Sequence, residues 1–151
     1  MSENKDPLAL DNQVCFALYA ANRAITGLYR PLLEELGLTY PQYLVMLVLW
    51  EAEQVAEATE VISVSFLGQR LRLDSGTLTP LLKRLESRGL LRRQRHPEDE
   101  RVVVVSLTET GRSLRQRAES VPGELMCRSG LDTEQARQLR SSLQALLDHL
   151  P

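Results

Sequence analysis

Between Ser65 and Leu107 the spacing of apolar residues changes period once, and that change limits the folds open to the chain. Leu78, Leu81, Leu82 and Leu85 recur at three and four residues, the spacing of one helix face, and Gly89 stands where such a helix ends. Beyond it, Leu90 to Arg95 and Val102 to Leu107 read as strands, with His96-Pro97-Glu98-Asp99-Glu100 as a charged turn between them. Asp74 or Ser75 caps the leucine-spaced helix, and Ser65 caps a shorter one through Arg72. A short helix turning into a second, then a hairpin, is a helix-turn-helix with a wing.

The flanks are helical. Val14, Leu18, Ala21, Ile25, Leu28 and Leu32 write one face of a helix over residues 11 to 36. Two starts compete, Asp6 with Pro7 in the first position or Asp11-Asn12, and Leu36-Gly37 marks the end. Thr39 or Tyr40, followed by Pro41, opens a second helix to about Glu53 that is apolar nearly all round and therefore central. Glu51 to Ser63 reads as a long connection, with a short strand at Val61–Val64. Thr108 opens a helix broken near Val121-Pro122-Gly123, and Leu139, Leu143, Leu146, Leu147 and Leu150 stripe a closing one. The expected fold is mainly α with a small β-hairpin wing (α+β), a winged helix-turn-helix. The module spans about 40–108 of a single chain, 1–151. The helices at about 8–36 and 109–150 have little left to cover on so small a core, so they are assigned to a dimer interface.

Charge narrows the function. The chain of 151 residues has 18 basic and 20 acidic side chains, net −2, which by itself argues against a nucleic-acid binder. The charge is not spread evenly. Residues 1–64 carry three basic and nine acidic residues, residues 65–101 nine basic and five acidic, and the remainder six of each. The basic segment is the one that holds the expected helix-turn-helix and wing. Ser75, Thr77 and Thr79 put short hydroxyl side chains and free backbone amides at the helix start, suited to the floor of a major groove. Lys83 and Arg84 lie between the leucines, facing solvent or phosphate, as does Arg88. Arg92, Arg93 and Arg95 stud the first wing strand. Asp99 either orients Arg101 for a narrow minor groove or is only a turn residue. No run of apolar residues is long enough to span a bilayer, and the polar N-terminus resembles neither a signal nor a transit peptide, so the expected compartment is the cytoplasm. Two cysteines 112 residues apart make neither a disulfide framework nor a zinc site, and no metal or cofactor is expected.

The run from Asp74 through Ser75-Gly76-Thr77-Leu78-Thr79-Pro80-Leu81-Leu82-Lys83-Arg84-Leu85 to Glu86, with Gly89-Leu90, Asp99-Glu100-Arg101 and Ser106-Leu107-Thr108, resembles the MarR family of winged-helix repressors. Leu10 to Tyr19 and Leu38 to Leu44 are similar to its OhrR branch, the organic hydroperoxide sensors. The resemblance covers about residues 8 to 122. The connection from Glu51 to Ser65 departs from it, being longer than these regulators usually have.

The resemblance implies that Cys15 is a peroxide-sensing thiol. Only a thiolate reacts quickly with a peroxide, so the site must favour the charged form. A helix capped by Asp11 or Asn12 would place Cys15 in or just after its first turn, where the dipole helps; a cap at Asp6 would not. Tyr19 lies four residues on, along the same face. The resemblance adds Tyr29 and Tyr40 as hydrogen-bond donors to the thiol. Tyr29 is fourteen residues from Cys15, roughly 21 Å along a continuous helix, beyond the reach of a phenol, so that contact must come from a partner chain. Cys127 is assigned, again by resemblance, as the thiol of the other subunit that resolves oxidised Cys15 into an intersubunit disulfide.

The expected function is thus a homodimeric repressor that holds double-stranded, inverted-repeat operator DNA when reduced and releases it when an organic hydroperoxide oxidises Cys15. One alternative is a repressor of the same family released by a small aromatic ligand. A thiol peroxidase is the other, and the chain lacks the strand-helix alternation of a thioredoxin-like enzyme and any proton donors near Cys15 beyond tyrosines. No enzyme activity is expected.

Overall fold

In the computed structural model, which describes residues 5–55 and 61–151, Thr39 opens the central helix α2 (Tyr40–Gln54) with a reciprocal cap. Its hydroxyl accepts the Gln42 N–H, and the buried Gln42 side chain accepts the Thr39 N–H at 3.1 Å, while Pro41 sits in the first turn where no N–H is needed. Tyr43, Val45, Met46, Val48, Leu49 and Trp50 of α2 are all buried. The preceding helix α1 (Val14–Glu34) ends before Gly37, whose left-handed backbone (φ +69°) turns the chain into α2.

The chain divides into two compact units, Leu33–Glu119 and Met1–Leu32 with Ser120–Pro151. The first holds α2, α3 (Val64–Leu71), α4 (Ser75–Ser87), β1 (Leu91–His96), β2 (Asp99–Leu107) and α5 (Glu109–Ala118). All four spaced leucines of α4 are buried, Leu85 completely. The strands pair antiparallel from Leu91↔Leu107 to Arg95↔Val103, then slip by a bulge to His96↔Asp99. Ser63 bridges Val104 on the outer side of β2, and the Val105 N–H donates to Ile62 O at 2.8 Å. Trp50 ties α2 to α5: its indole N–H donates to Gly111 O at 2.9 Å in the buried core.

The second unit holds most of α1, with α6 (Val121–Ser129) and α7 (Thr133–His149). Asp132 opens α7 with a second reciprocal cap, through Gln135. No helix among the described residues is long and apolar enough to cross a membrane.

Several boundaries differ from the sequence reading. Neither Asp6 nor Asp11-Asn12 caps α1. The Asp6 carboxylate instead accepts the Leu8 N–H at 3.0 Å, closing a separate turn, and Leu10–Asn12 form a short 3-10 turn. Gln13 is extended, and α1 starts only after it. Ser63, not Ser65, caps α3, accepting the Phe66 N–H at 3.0 Å. The second strand begins at Asp99 rather than Val102, so the tip shortens to Pro97-Glu98. Pro122 does not simply break a helix; it stands in the first turn of α6, which carries Cys127. Of the expected long connection, residues 56–60 lie outside the described residues, and the strand expected at Val61–Val64 survives as the bridge at Ser63.

Candidate nucleic-acid interface and reactive thiols

Asp74 fixes the start of α4 by accepting the Thr77 N–H at 2.8 Å, and this bond with the Thr77 hydroxyl holds its carboxyl below the usual range. Ser75, Gly76 and Thr77 are exposed in the first turn, Thr79 is half-buried, and Lys83 and Arg84 are both exposed about two turns on. Since the leucines occupy the inner face, these residues lie on the outer one. Pro80 lacks an N–H, so the Gly76 carbonyl has no in-helix donor at this exposed end.

The wing cations divide sharply by what they touch. Arg101 at the tip extends almost fully into solvent, 91% exposed, and is held at its base by Asp99. Asp99 Oδ1 accepts both the Arg101 N–H and Nε–H at 3.1 Å, and Oδ2 accepts Nη2–H at 3.3 Å. These bonds hold the Asp99 carboxyl below its ordinary range and keep it charged. Arg95 donates to Glu100 O at 2.7 Å across the hairpin. Arg93 behaves otherwise: its side chain is only 24% exposed and paired with Glu86 at 3.0 Å, so it braces the wing instead of facing outward. Arg88, expected to face solvent or phosphate, donates instead to Gly37 O and Leu36 O.

Cys15 is the second residue of α1, in its first turn, exposed and unbridged. Tyr19 follows one turn later, 60% exposed, with the Arg23 guanidinium 5.6 Å from its ring centroid. Helix α1 is continuous from Cys15 past Tyr29. Burial raises the Tyr40 phenol above its ordinary value, so it stays a donor. Cys127, in α6, is likewise exposed and unbridged.

A family model described as transcriptional regulator SarA/Rot matches residues 27–118, which span α2 to α5 and the end of α1. The chain belongs to the SarA/Rot and MarR family of winged-helix transcriptional regulators. It is 48% identical to the organic hydroperoxide resistance transcriptional regulator of Bacillus subtilis, over 98% of this chain and 97% of that one. Among solved structures it is similar to reduced AbfR bound to DNA, 35% identical with a TM-score of 0.71 over 93% of each chain. It is also similar to the disulfide-formed state of AbfR, a Staphylococcus epidermidis protein, at 36% identity and a TM-score of 0.61, over 91% of this chain and 92% of that one.

Within this SarA/Rot and MarR-family regulator, the structure gathers Ser75, Thr77, Thr79, Lys83 and Arg84 on α4, and Arg95, Asp99 and Arg101 on the wing. The residue that sequence reasoning missed is Glu86. Its one signal is an acid placed on the otherwise basic back half of α4, where it serves as the anchor for Arg93.

Proposed function

We propose that the chain is a homodimeric, thiol-switched repressor working in the cytoplasm, which binds double-stranded inverted-repeat operator DNA in its reduced state. Ser75, Thr77, Thr79, Lys83 and Arg84 enter the major groove, and Arg95 and Arg101, the latter held by Asp99, follow the flanking minor grooves. Arg93 serves this surface from behind. Support for the dimer comes from the large apolar side chains left exposed at Leu8, Leu10 and Val14, along α7 at Leu139, Leu146 and Leu147, and at Leu150 just after it.

The observation that carries the switch is Cys15, exposed in the first turn of α1 with a tyrosine one turn away, in a chain so similar to an organic hydroperoxide regulator. The thiolate attacks the terminal oxygen of an organic hydroperoxide: an S–O bond forms to give the sulfenic acid, the O–O bond breaks, and the alkoxide leaves as the alcohol after taking a proton from water. Cys127 of the partner subunit then condenses with the sulfenic acid, forming the disulfide and releasing water. Tyr19, Tyr29 and Tyr40 donate hydrogen bonds to the reactive sulfur. Because α1 runs unbroken, roughly 21 Å separates Cys15 from Tyr29 on one chain, so a Tyr29 donor comes from the second subunit. The similarity to AbfR, solved both reduced on DNA and as a disulfide, supports the same two states here. Cys15→Ser keeps DNA affinity and abolishes release by cumene hydroperoxide. A Cys15→Ser protein still released by the peroxide overturns the reading.

A further inference from the structure

Three helix ends within Leu33–Glu119 carry the same hydrogen-bonded cap. At the end of α1, Leu38 N–H donates to Leu33 O and Gly37 N–H to Glu34 O, both at 3.0 Å. At the end of α4, Leu90 N–H donates to Leu85 O at 3.1 Å and Gly89 N–H to Glu86 O at 2.9 Å. At the end of α3, Leu73 N–H donates to Gly68 O at 2.9 Å and Arg72 N–H to Gln69 O at 3.4 Å. This cap needs one residue in the left-handed region, where a Cβ crowds the following carbonyl and glycine does not. The first two caps use Gly37 and Gly89, and a third glycine, Gly130, closes α6. The cap of α3 uses Arg72, at φ 56° and ψ 42°, the one non-glycine residue with positive φ among those described.

Glycine would close this turn with less strain, so what the position gains from arginine is its side chain. That side chain is exposed and makes no hydrogen bond or ion pair among the described residues. The nearest arginine along the chain is engaged: Arg70 pairs with Glu51 at 3.3 Å. Arg72 also stands two residues before Asp74, the cap of α4, at the entry to the outward helix face that carries Ser75 and Thr77. An unengaged guanidinium at a strained turn beside a helix start is placed to bind an anion.

We propose that Arg72 is a DNA-phosphate contact that sets the register of α4 in the groove, the α3–α4 turn holding it there at the cost of backbone strain. The inference rests on the DNA-binding reading given above.

The test separates strain from contact. The wild-type protein selects duplexes from a random-sequence pool. Affinity for the selected duplex is then measured against salt for wild type, Arg72→Gly, Arg72→Lys and Arg84→Ala, with thermal unfolding of each. Arg72→Gly is expected to unfold at the same or a higher temperature, since the left-handed strain is gone. It should nevertheless bind about five- to tenfold more weakly, with a log–log salt slope shallower by about 0.9, the value of one phosphate contact. Arg72→Lys should retain the slope. Arg72→Gly that binds like wild type, or that unfolds at a lower temperature, overturns the proposal. If Arg84→Ala loses affinity while Arg72→Gly does not, DNA binding stands and the Arg72 contact falls. A wild-type protein that selects no duplex removes the DNA-binding reading itself.

Discussion

The Glu86 carboxylate holds Arg93 by backbone and side chain together: Oε2 accepts the Arg93 N–H at 2.8 Å, and Oε1 accepts Nη2–H at 3.0 Å and Nε–H at 3.4 Å. One residue on the back half of α4 thereby fixes the first strand of the wing. The two surfaces expected to meet DNA, the outer face of α4 and the hairpin tip, are joined through this pair.

Glu86→Gln should therefore weaken DNA binding although the Glu86 carboxylate is taken up by Arg93 and carries no charge that could meet a phosphate favourably. An amide keeps one acceptor for the Arg93 N–H but loses the charge-assisted pair. The expected signature is a loss of affinity of about two- to fivefold with an unchanged salt slope, since no phosphate contact is removed. A titration at several salt concentrations decides it, and a shallower slope would contradict the bracing role.

Acid should loosen the winged unit before neutral or mildly basic pH does. The carboxyls of Asp74, Glu86 and Asp99 are held low by hydrogen bonds from Thr77, Arg93 and Arg101. The Glu53 carboxyl is lowered by its hydrogen bonds to the Arg112 guanidinium, against a smaller opposing effect of burial. Groups whose folded values are depressed contribute stability that is present above the ordinary carboxylate range, about pH 4, and lost as pH falls through the depressed values. Thermal unfolding between pH 7 and pH 3 should show that loss, and Glu53→Gln should flatten it. A melting temperature that rises toward pH 3 would contradict this.

Asp99 and Arg101 should behave as one unit. Asp99→Ala frees the Arg101 base, and Arg101→Ala removes the tip cation itself. If Asp99 acts only by orienting Arg101, the double variant binds DNA no more weakly than Arg101→Ala alone. Additive losses in the double-mutant cycle would assign Asp99 a separate role.

The Trp50–Gly111 contact should be the least tolerant point of the core. A Cβ at Gly111 would lie 1.9 Å from Leu90 O, a backbone atom that cannot step aside. Gly111→Ala should cost at least about 1–3 kcal/mol, the range for overpacking. Trp50→Phe, which removes the indole donor and leaves the Gly111 carbonyl only its position within α5, should cost about 0.5–1.5 kcal/mol for the lost bond. Chemical denaturation measures both, and near-wild-type midpoints would refute the packing argument.

Much of the winged unit was legible because its signals are local. The leucine period of α4, the caps at Thr39, Asp74 and Thr108, and the hairpin each lie within a few residues of what they control. What was missed depends on distant groups. Ser63 and Ser65 are equivalent as caps in isolation, and Ser63 prevails where its backbone meets Val104, forty-one residues away. Arg93 and Arg88 read as outward cations because their acceptors, Glu86 and the carbonyls after α1, reach them only through the fold. The start of α1 was obscured by an Asp6 turn and a 3-10 turn that compete for the same capping residues. On the thiol side, the place of Cys15 hung on which residue opened the helix, and the structure starts α1 after Gln13 with neither candidate as its cap; the break near Val121-Pro122-Gly123 is the junction between α5 and α6, which carries Cys127.

The hairpin has two strands and therefore two outer edges, and both are occupied. Beside β2, Ile62 and Ser63 take up ladder positions opposite Val105 and Val104; beside β1, the Glu86 carboxylate takes the outward N–H of Arg93. An unpaired edge is a template on which another copy of the same strand can grow, and closing it at these points removes that template. The Glu86 carboxylate that anchors Arg93 is thus also what withholds that position of the β1 edge from strand pairing with a second copy.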